Sequence, residues 1–91
     1  MLFVISCHDK EGHGQLRQDN RGAHLEHLKA HGSQVVAAGP YLSDDGGSVL
    51  GSMLVVDFEN RTAAQAFADA DPYAKAGLFD SVEITAWKKV I

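Results

Sequence analysis

The stretch SQVVAAGPYLSDDGGSVLGSMLVVDF, residues 33–58, decides the fold of this 91-residue chain. Residues 33–38 form a short, largely apolar run that Gly39-Pro40 closes, and residues 49–58 form a longer one. The polar segment between them contains Asp45-Gly46, a pair that favours a reversing connection. The stretch therefore predicts two antiparallel strands joined in a hairpin.

A strand and a long helix precede the hairpin. Residues 2–7 are mostly apolar at consecutive positions, which is typical of a central strand covered on both faces. The polar residues 8–14 predict a loop, and residues 15–31 predict a helix that Gly32 ends in the left-handed conformation. The apolar side of this helix is predicted to consist of Leu16, Ala23, Leu25 and Leu28.

A second helix and a final strand follow the hairpin. Asn60 is a suitable N-cap for the helix, and Pro72 disfavours helical geometry at Asp71, where the helix is predicted to break. Asp71 as a new N-cap, with Pro72 at the first helical position, predicts a short further helix that Gly77 ends. Residues 81–91 alternate in character and predict a strand with two different faces.

The resulting order of strand, helix, strand, strand, helix and strand predicts one α+β domain over residues 1–91. Two interleaved β-α-β units in this β-α-β-β-α-β order form the ferredoxin-like sandwich, an antiparallel sheet with both helices on one face. The other face of the sheet is also partly apolar, because Val35-Val36 and Leu54-Val55-Val56 place apolar residues at consecutive positions. A second copy packed sheet on sheet would bury that face, so we expect a homodimer.

The charge and the cysteine content indicate which kinds of binding partner and which cellular compartment to expect. Eight Lys and Arg against twelve Asp and Glu give a formal charge of −4, which disfavours binding to nucleic acid. The single cysteine, Cys7, cannot form an internal disulfide, so a reducing, cytoplasmic setting is expected. The apolar residues at the start of the chain are too few for a signal segment, and no run is long enough to span a membrane.

Three histidines lie on the first helix, at positions 24, 27 and 31. Their spacing could bind a divalent metal, but no carboxylate or cysteine stands at a matching position to complete a ligand set. No metal site is therefore expected, and a solvated helix face is favoured for His27 and His31. His24 borders the apolar side, where it could enter a pocket as a general base while a carboxylate orients its other nitrogen. A half-buried core histidine bonded to a backbone carbonyl fits the same spacing equally well.

Four other residues are candidates for the same site. Arg21 lies one turn before His24 and could clamp an anionic substrate, although a solvated helix arginine is favoured by the pattern alone. Asp9 follows the first strand at a sheet edge, where a plain turn aspartate is at least as compatible. Asp71 already has a structural role as the N-cap before Pro72, and Cys7 is predicted to be a small buried hydrophobe rather than a nucleophile.

Six short motifs in order along the chain resemble the YCII (YciI-like) family. The resemblance implies a ferredoxin-like dimeric α/β barrel with a His-Asp pair in the active site, and it places the family histidine at His24. The acidic partner is placed first at Asp9, with Asp71 as the competing position. One branch of the family is associated with removing chloride from chlorinated hydroxyquinols. The motifs are Leu2-Phe3-Val4-Ile5, Asp9-Lys10, Arg21-Gly22-Ala23-His24-Leu25, Ala38-Gly39-Pro40, Gly51-Ser52 and Ala68-Asp69-Ala70-Asp71-Pro72-Tyr73.

These observations lead to two functional hypotheses. The first is an enzyme of the lyase or hydrolase type that acts without a cofactor on a small anionic or phenolic molecule. In it His24 is the general base, an aspartate holds its tautomer, and Arg21, Tyr73 and Ser52 bind the substrate. The rival is a non-catalytic module that binds a small ligand or accompanies another enzyme.

Overall fold

A computed structural model describes residues 1–91. Four antiparallel strands form one sheet in the order β2-β3-β1-β4, and the helices pack on one face of it, which confirms the predicted α+β ferredoxin-like architecture. The elements along the chain are β1 (Leu2–Asp9), α1 (Gly14–Ala30), β2 (Val35–Leu42), β3 (Val49–Asp57), α2 (Arg61–Asp69), α3 (Pro72–Lys75) and β4 (Phe79–Trp87). A single 3-10 turn, Gly32–Gln34, joins α1 to β2.

The helix boundaries follow the local signals in the sequence. α1 runs unbroken through Gly22 and is followed by Gly32 at a φ of +54°, a conformation that favours glycine. The side chain of Asn60 accepts a hydrogen bond of 2.9 Å from the backbone N–H of Ala63 and caps α2. Asp71 caps α3 in the same way through the backbone N–H of Tyr73.

Three strands have boundaries that differ from the prediction by two residues or more. β1 continues through His8 and Asp9, which were predicted to be loop. β2 does not end at Gly39-Pro40 but continues to Leu42, because it is an edge strand and proline is tolerated where one side of the strand needs no N–H donor. β4 begins at Phe79 and ends at Trp87, so the last four residues, which were predicted to be strand, are not part of the sheet.

The core lies between the sheet and α2, and α1 contributes little to it. None of the four apolar residues predicted to face the core from α1 is fully buried, and Ala23 is exposed. The only buried residue of α1 is His24. α1 therefore leaves a cleft between itself and the sheet instead of closing over it. The core cluster consists of Phe3, Ile5, Cys7, Leu54, Val56, Phe58, Ala64, Phe67, Ala68 and Ile84.

The sheet face opposite the helices carries a row of apolar side chains. Val4 and Val55 are paired across β1 and β3 on this face, and Val55 is buried although it lies outside the core cluster. Met53 and Trp87 on the same face are 39% and 44% exposed. Gly51 is also on this side of β3, and a Cβ atom there would collide with the backbone of Cys7, so the strands approach closely only because position 51 is glycine.

No helix of this fold combines the length and the hydrophobicity needed to cross a lipid bilayer.

Candidate active site

A cleft of about 360 Å³ lies between α1 and the strands β2 and β3. The helix α1 and Ser52 of β3 supply most of its polar side chains, and much of the rest of its wall is apolar. It has the size of a pocket for one small molecule. The lining residues are Arg17, Gln18, Arg21, His24, Leu25, Leu28, Ala38, Gly39, Pro40, Val49, Ser52, Leu54 and Tyr73.

His24 and Asp71 form a buried pair at this cleft. The Nδ1–H of His24 donates a 2.8 Å hydrogen bond to Oδ1 of Asp71, and the two side chains are only 9% and 5% exposed. The same Oδ1 accepts the backbone N–H of Tyr73 at 2.9 Å, which fixes the carboxylate at the start of α3. Because Nδ1 is the donor, the proton-accepting lone pair of the imidazole lies on Nε2.

The Nε2 atom of His24 is open to the cleft. It has no hydrogen-bond partner in the protein, and no buried side-chain nitrogen or oxygen is left without a partner. Nε2 must therefore be reached from the cleft that His24 lines. A neutral imidazole with one nitrogen held by a carboxylate and the other open to a ligand is arranged as a general base.

Arg17 is held at the same cleft by a network of buried side chains. Its Nε donates to Oδ2 of Asp9 at 2.8 Å, and its Nη2 donates to Oδ1 of Asp9 at 2.8 Å and to Oγ of Ser52 at 3.0 Å. The side chains of Arg17 and Asp9 are 13% and 10% exposed. Burial by itself would lower the pKa of the Arg17 guanidinium, but the hydrogen bonds and charge of Asp9 outweigh it, so the pKa is raised.

Tyr73 contacts both Arg17 and His24 of α1 from its position in α3. Its ring stacks on the imidazole of His24 with centroids 4.0 Å apart, and the Arg17 Cζ lies 4.6 Å from its centroid. Burial raises the pKa of the Tyr73 hydroxyl, although the charge of Arg17 works in the opposite direction. The phenol is therefore neutral near pH 7 and does not act as a base here.

A family model described as the YCII-related domain matches residues 1–88. The chain belongs to the YCII family. Protein YciI of Escherichia coli O6:H1 is 39% identical to it, and a protein of Haemophilus influenzae is 33% identical, each over 99% of both chains.

One solved structure is similar to this YCII-family protein over nearly its whole length. It is a 5-chloro-2-hydroxyhydroquinone dehydrochlorinase from Burkholderia phenoliruptrix, in complex with 2,5-dihydroxybenzoquinone. The two chains are 35% identical and superpose with a TM-score of 0.91 over 97% of this chain and 94% of the other. A protein of Arabidopsis thaliana, 14% identical with a TM-score of 0.52, shares the fold alone.

The predicted partner of the YCII histidine requires a correction. Asp9 was placed first as the acidic partner of His24, but the structure puts Asp71 on the imidazole and commits both oxygens of Asp9 to Arg17. Asp71 is 47 residues from His24 along the chain, and only the packing of α3 against α1 brings them together. The role of Asp71 as the N-cap of α3 is compatible with the bond to His24, because its Oδ1 accepts both hydrogen bonds.

Three other residues, Tyr73, Ser52 and Arg21, were predicted to bind the substrate. Tyr73 and Ser52 both line the cleft, in contact with His24 and Arg17 respectively. Arg21 also lines the cleft, but it is exposed and forms no ion pair. The arginine that the sequence reasoning missed is Arg17. Its signal was its position seven residues before His24, which puts both on one side of a helix.

His27 and His31 differ from the solvated helix face that was predicted for them. His27 Nε2–H donates to the carbonyl of Phe67 at 3.0 Å, its ring stacks on the Phe67 ring at 4.6 Å, and His31 meets Phe67 edge-on. Burial lowers the pKa of His27. The two histidines therefore bridge α1 to α2. No group of three or more His, Cys, Asp or Glu side chains is arranged to hold a metal ion.

Cys7 lies beneath the site as a buried thiol. It is 2% exposed, and burial together with the charge of Asp71 raises its pKa to about 12. A thiol with such a pKa carries almost no thiolate near neutral pH, so it is not a nucleophile here.

Proposed function

We propose that this protein is a cofactor-independent enzyme of the lyase type that removes the hydroxyl proton of a small hydroxylated aromatic molecule. His24 is the general base, and Asp71 holds its tautomer and balances the imidazolium that forms. The observation that supports this most directly is the buried 2.8 Å bond between Nδ1 and Asp71, with Nε2 open to the cleft.

The proposed step moves one proton. The substrate O–H bond breaks, its proton goes to Nε2 of His24, and its electron pair stays on the substrate oxygen. The positive charge on the ring of His24 is then stabilised by the carboxylate of Asp71 through the Nδ1–H hydrogen bond. For chloride to leave, the ring must also shift to its keto form, in which the proton of a second hydroxyl has moved to the carbon that bears chlorine. The substrate anion then expels chloride with the C–Cl bonding pair, and the electron pair on the deprotonated oxygen forms the second carbonyl. The net change is loss of one proton and one chloride, which leaves a hydroxyquinone.

The shape of the cleft supports a substrate of one ring. Its volume of about 360 Å³ lies toward the small end of ligand pockets, and Leu25, Leu28 and Leu54 supply apolar contact for a flat molecule. The Burkholderia phenoliruptrix neighbour is named for a chlorinated hydroxyhydroquinone and holds a dihydroxybenzoquinone. Its similarity over nearly the whole chain favours the same class of compound for this protein.

The test uses 5-chloro-2-hydroxyhydroquinone as the probe, with chloride release and quinone absorbance as the readouts. We expect turnover by the wild-type protein and a loss of about 10²–10⁴ in kcat for His24→Ala. His13→Ala is the matched control, because His13 lies outside the cleft and bonds only to the carbonyl of Glu11. Its activity should equal that of the wild type.

Two results would overturn the proposal. One is turnover by His24→Ala at the wild-type rate. The other is tight binding of 2,5-dihydroxybenzoquinone by the wild-type protein without any turnover of the chlorinated probe, which would support the non-catalytic binding module.

We also propose that the protein is a homodimer that packs through the sheet face opposite the helices. The apolar side chains on that face support it, since Met53 and Trp87 are each more than a third exposed in a single copy.

A further inference from the structure

One guanidinium nitrogen of Arg17 is uncommitted. Nε and Nη2 are occupied by Asp9 and Ser52, whereas Nη1 forms no hydrogen bond of good geometry within the protein, although the hydroxyl of Tyr73 lies near enough to the guanidinium to help raise its pKa. Because no buried side-chain nitrogen or oxygen lacks a partner, Nη1 must be reached from the cleft that Arg17 lines. The cleft therefore presents two unoccupied polar atoms of α1, Nη1 of Arg17 and Nε2 of His24.

The surroundings of Arg17 hold the guanidinium in one orientation. A bidentate bond to Asp9 fixes its plane, the bond to Ser52 fixes one edge, and the ring of Tyr73 covers one face. A buried ion pair of this kind adds little to stability compared with apolar packing, because both charges lose their hydration. A donor that is already oriented and desolvated is, in contrast, well suited to receive a negative charge.

We propose that Arg17 is the oxyanion-binding residue of the cleft and selects substrates that carry a second oxygen conjugated with the hydroxyl that His24 deprotonates. This inference rests on the proposed function. When the proton moves to Nε2, the electron pair left on the substrate oxygen is shared through the ring with the second oxygen. The N–H of Nη1 then donates to that oxygen, while Asp9 and Ser52 act as positioning residues for the guanidinium.

The spacing of the two groups supports a two-point contact. Arg17 and His24 lie seven residues apart on one side of α1, about 10 Å along the helix axis, and both side chains contact the ring of Tyr73. A six-membered ring with oxygens on two of its carbons, lying along the cleft beside Tyr73, can contact both groups. A ring with a single oxygen can contact only one of them.

The test compares the binding of two probes, 2,5-dihydroxybenzoquinone and phenol, by calorimetry. Arg17→Ala would leave the carboxylate of Asp9 buried and unpaired, so the informative variant is Arg17→Gln combined with Asp9→Asn, a neutral pair that can still hydrogen-bond. We expect this double variant to melt cooperatively and to bind the dihydroxybenzoquinone about 10- to 100-fold more weakly. Its affinity for phenol should be unchanged.

Lys29→Gln is the matched control, because it removes an exposed cation from α1 outside the cleft. A change of only a few-fold is expected, as for a solvated charge. If the double variant binds the dihydroxybenzoquinone like the wild type, or if Lys29→Gln weakens binding as strongly, the assignment to Arg17 is wrong.

The outcomes separate this inference from the proposed function. Binding that depends on Arg17 without turnover of the chlorinated probe would leave the anion site intact and overturn the catalytic role of His24. Turnover that depends on His24 but is indifferent to the double variant in both kcat and KM would overturn the anion site alone.

Discussion

Replacement of Asp71 by alanine removes two hydrogen bonds from a single buried oxygen. Asp71 is 3% exposed, and its Oδ1 accepts both the Nδ1–H of His24 and the backbone N–H of Tyr73. Loss of an N-cap costs about 0.5–2 kcal/mol. Leaving a buried donor such as Nδ1–H unsatisfied costs about 1–3 kcal/mol more. We therefore expect Asp71→Ala to lower the free energy of unfolding by about 1.5–5 kcal/mol, which for a domain of this size lowers Tm by at least ~6 °C.

Two further variants separate the contributions. Asn60→Ala is the matched control, because Asn60 caps α2 with one bond of 2.9 Å to Ala63 and contacts no part of the cleft. It should cost only about 0.5–2 kcal/mol. Asp71→Asn keeps an acceptor oxygen for His24 and for Tyr73 but loses the negative charge, so it should be more stable than Asp71→Ala while losing most of the activity.

The assay is urea unfolding followed by circular dichroism, with chloride release measured on the same samples. A double-mutant cycle that combines Asp71→Ala with His24→Ala should show a coupling free energy of about 0.5–3 kcal/mol between Asp71 and His24. If Asp71→Ala costs no more than Asn60→Ala, or if the coupling is zero, the reasoning from the buried pair is refuted.

Two other predictions concern the rest of the molecule. Sedimentation equilibrium of the wild type should give twice the 9.8 kDa chain mass, and a monomeric wild type would contradict the dimer. Met53→Glu should yield monomers. Val82→Glu is the control and should stay dimeric, because Val82 is equally exposed at 39% but lies on the helix side of the sheet. Burial lowers the pKa of His27 below its ordinary 6.5, so the folded state binds that proton less readily than the unfolded chain. The contribution of neutral His27 to the free energy of unfolding is therefore complete above pH 6.5, and it is lost as the pH falls through the lower pKa that His27 has in the folded protein. Between pH 7.5 and 5, the free energy of unfolding measured in urea should fall more steeply with pH for the wild type than for His27→Gln. Equal slopes for the two proteins would contradict this role of His27.

The order of elements and most helix ends could be predicted from the sequence, because their causes are local. The positive φ at Gly32, the cap at Asn60 and the Asp71-Pro72 start of α3 each depend on residues within one turn. The hairpin of β2 and β3 depends on the short Asp/Gly segment between them. The position of His24 at the border of the apolar side of α1 was equally compatible with a core histidine, and the resemblance to the YCII family is what singled it out.

The partners in the site were decided by tertiary structure alone. Asp9 and Asp71 are equivalent as carboxylates in the sequence, and the fold assigns one to Arg17 and the other to His24. Arg21 is nearer to His24 along the helix, yet Arg17 is the arginine that β1 and β3 enclose through Asp9 and Ser52. Local patterns report which side of an element a residue occupies, whereas which side chains meet across 47 residues depends on how distant elements pack.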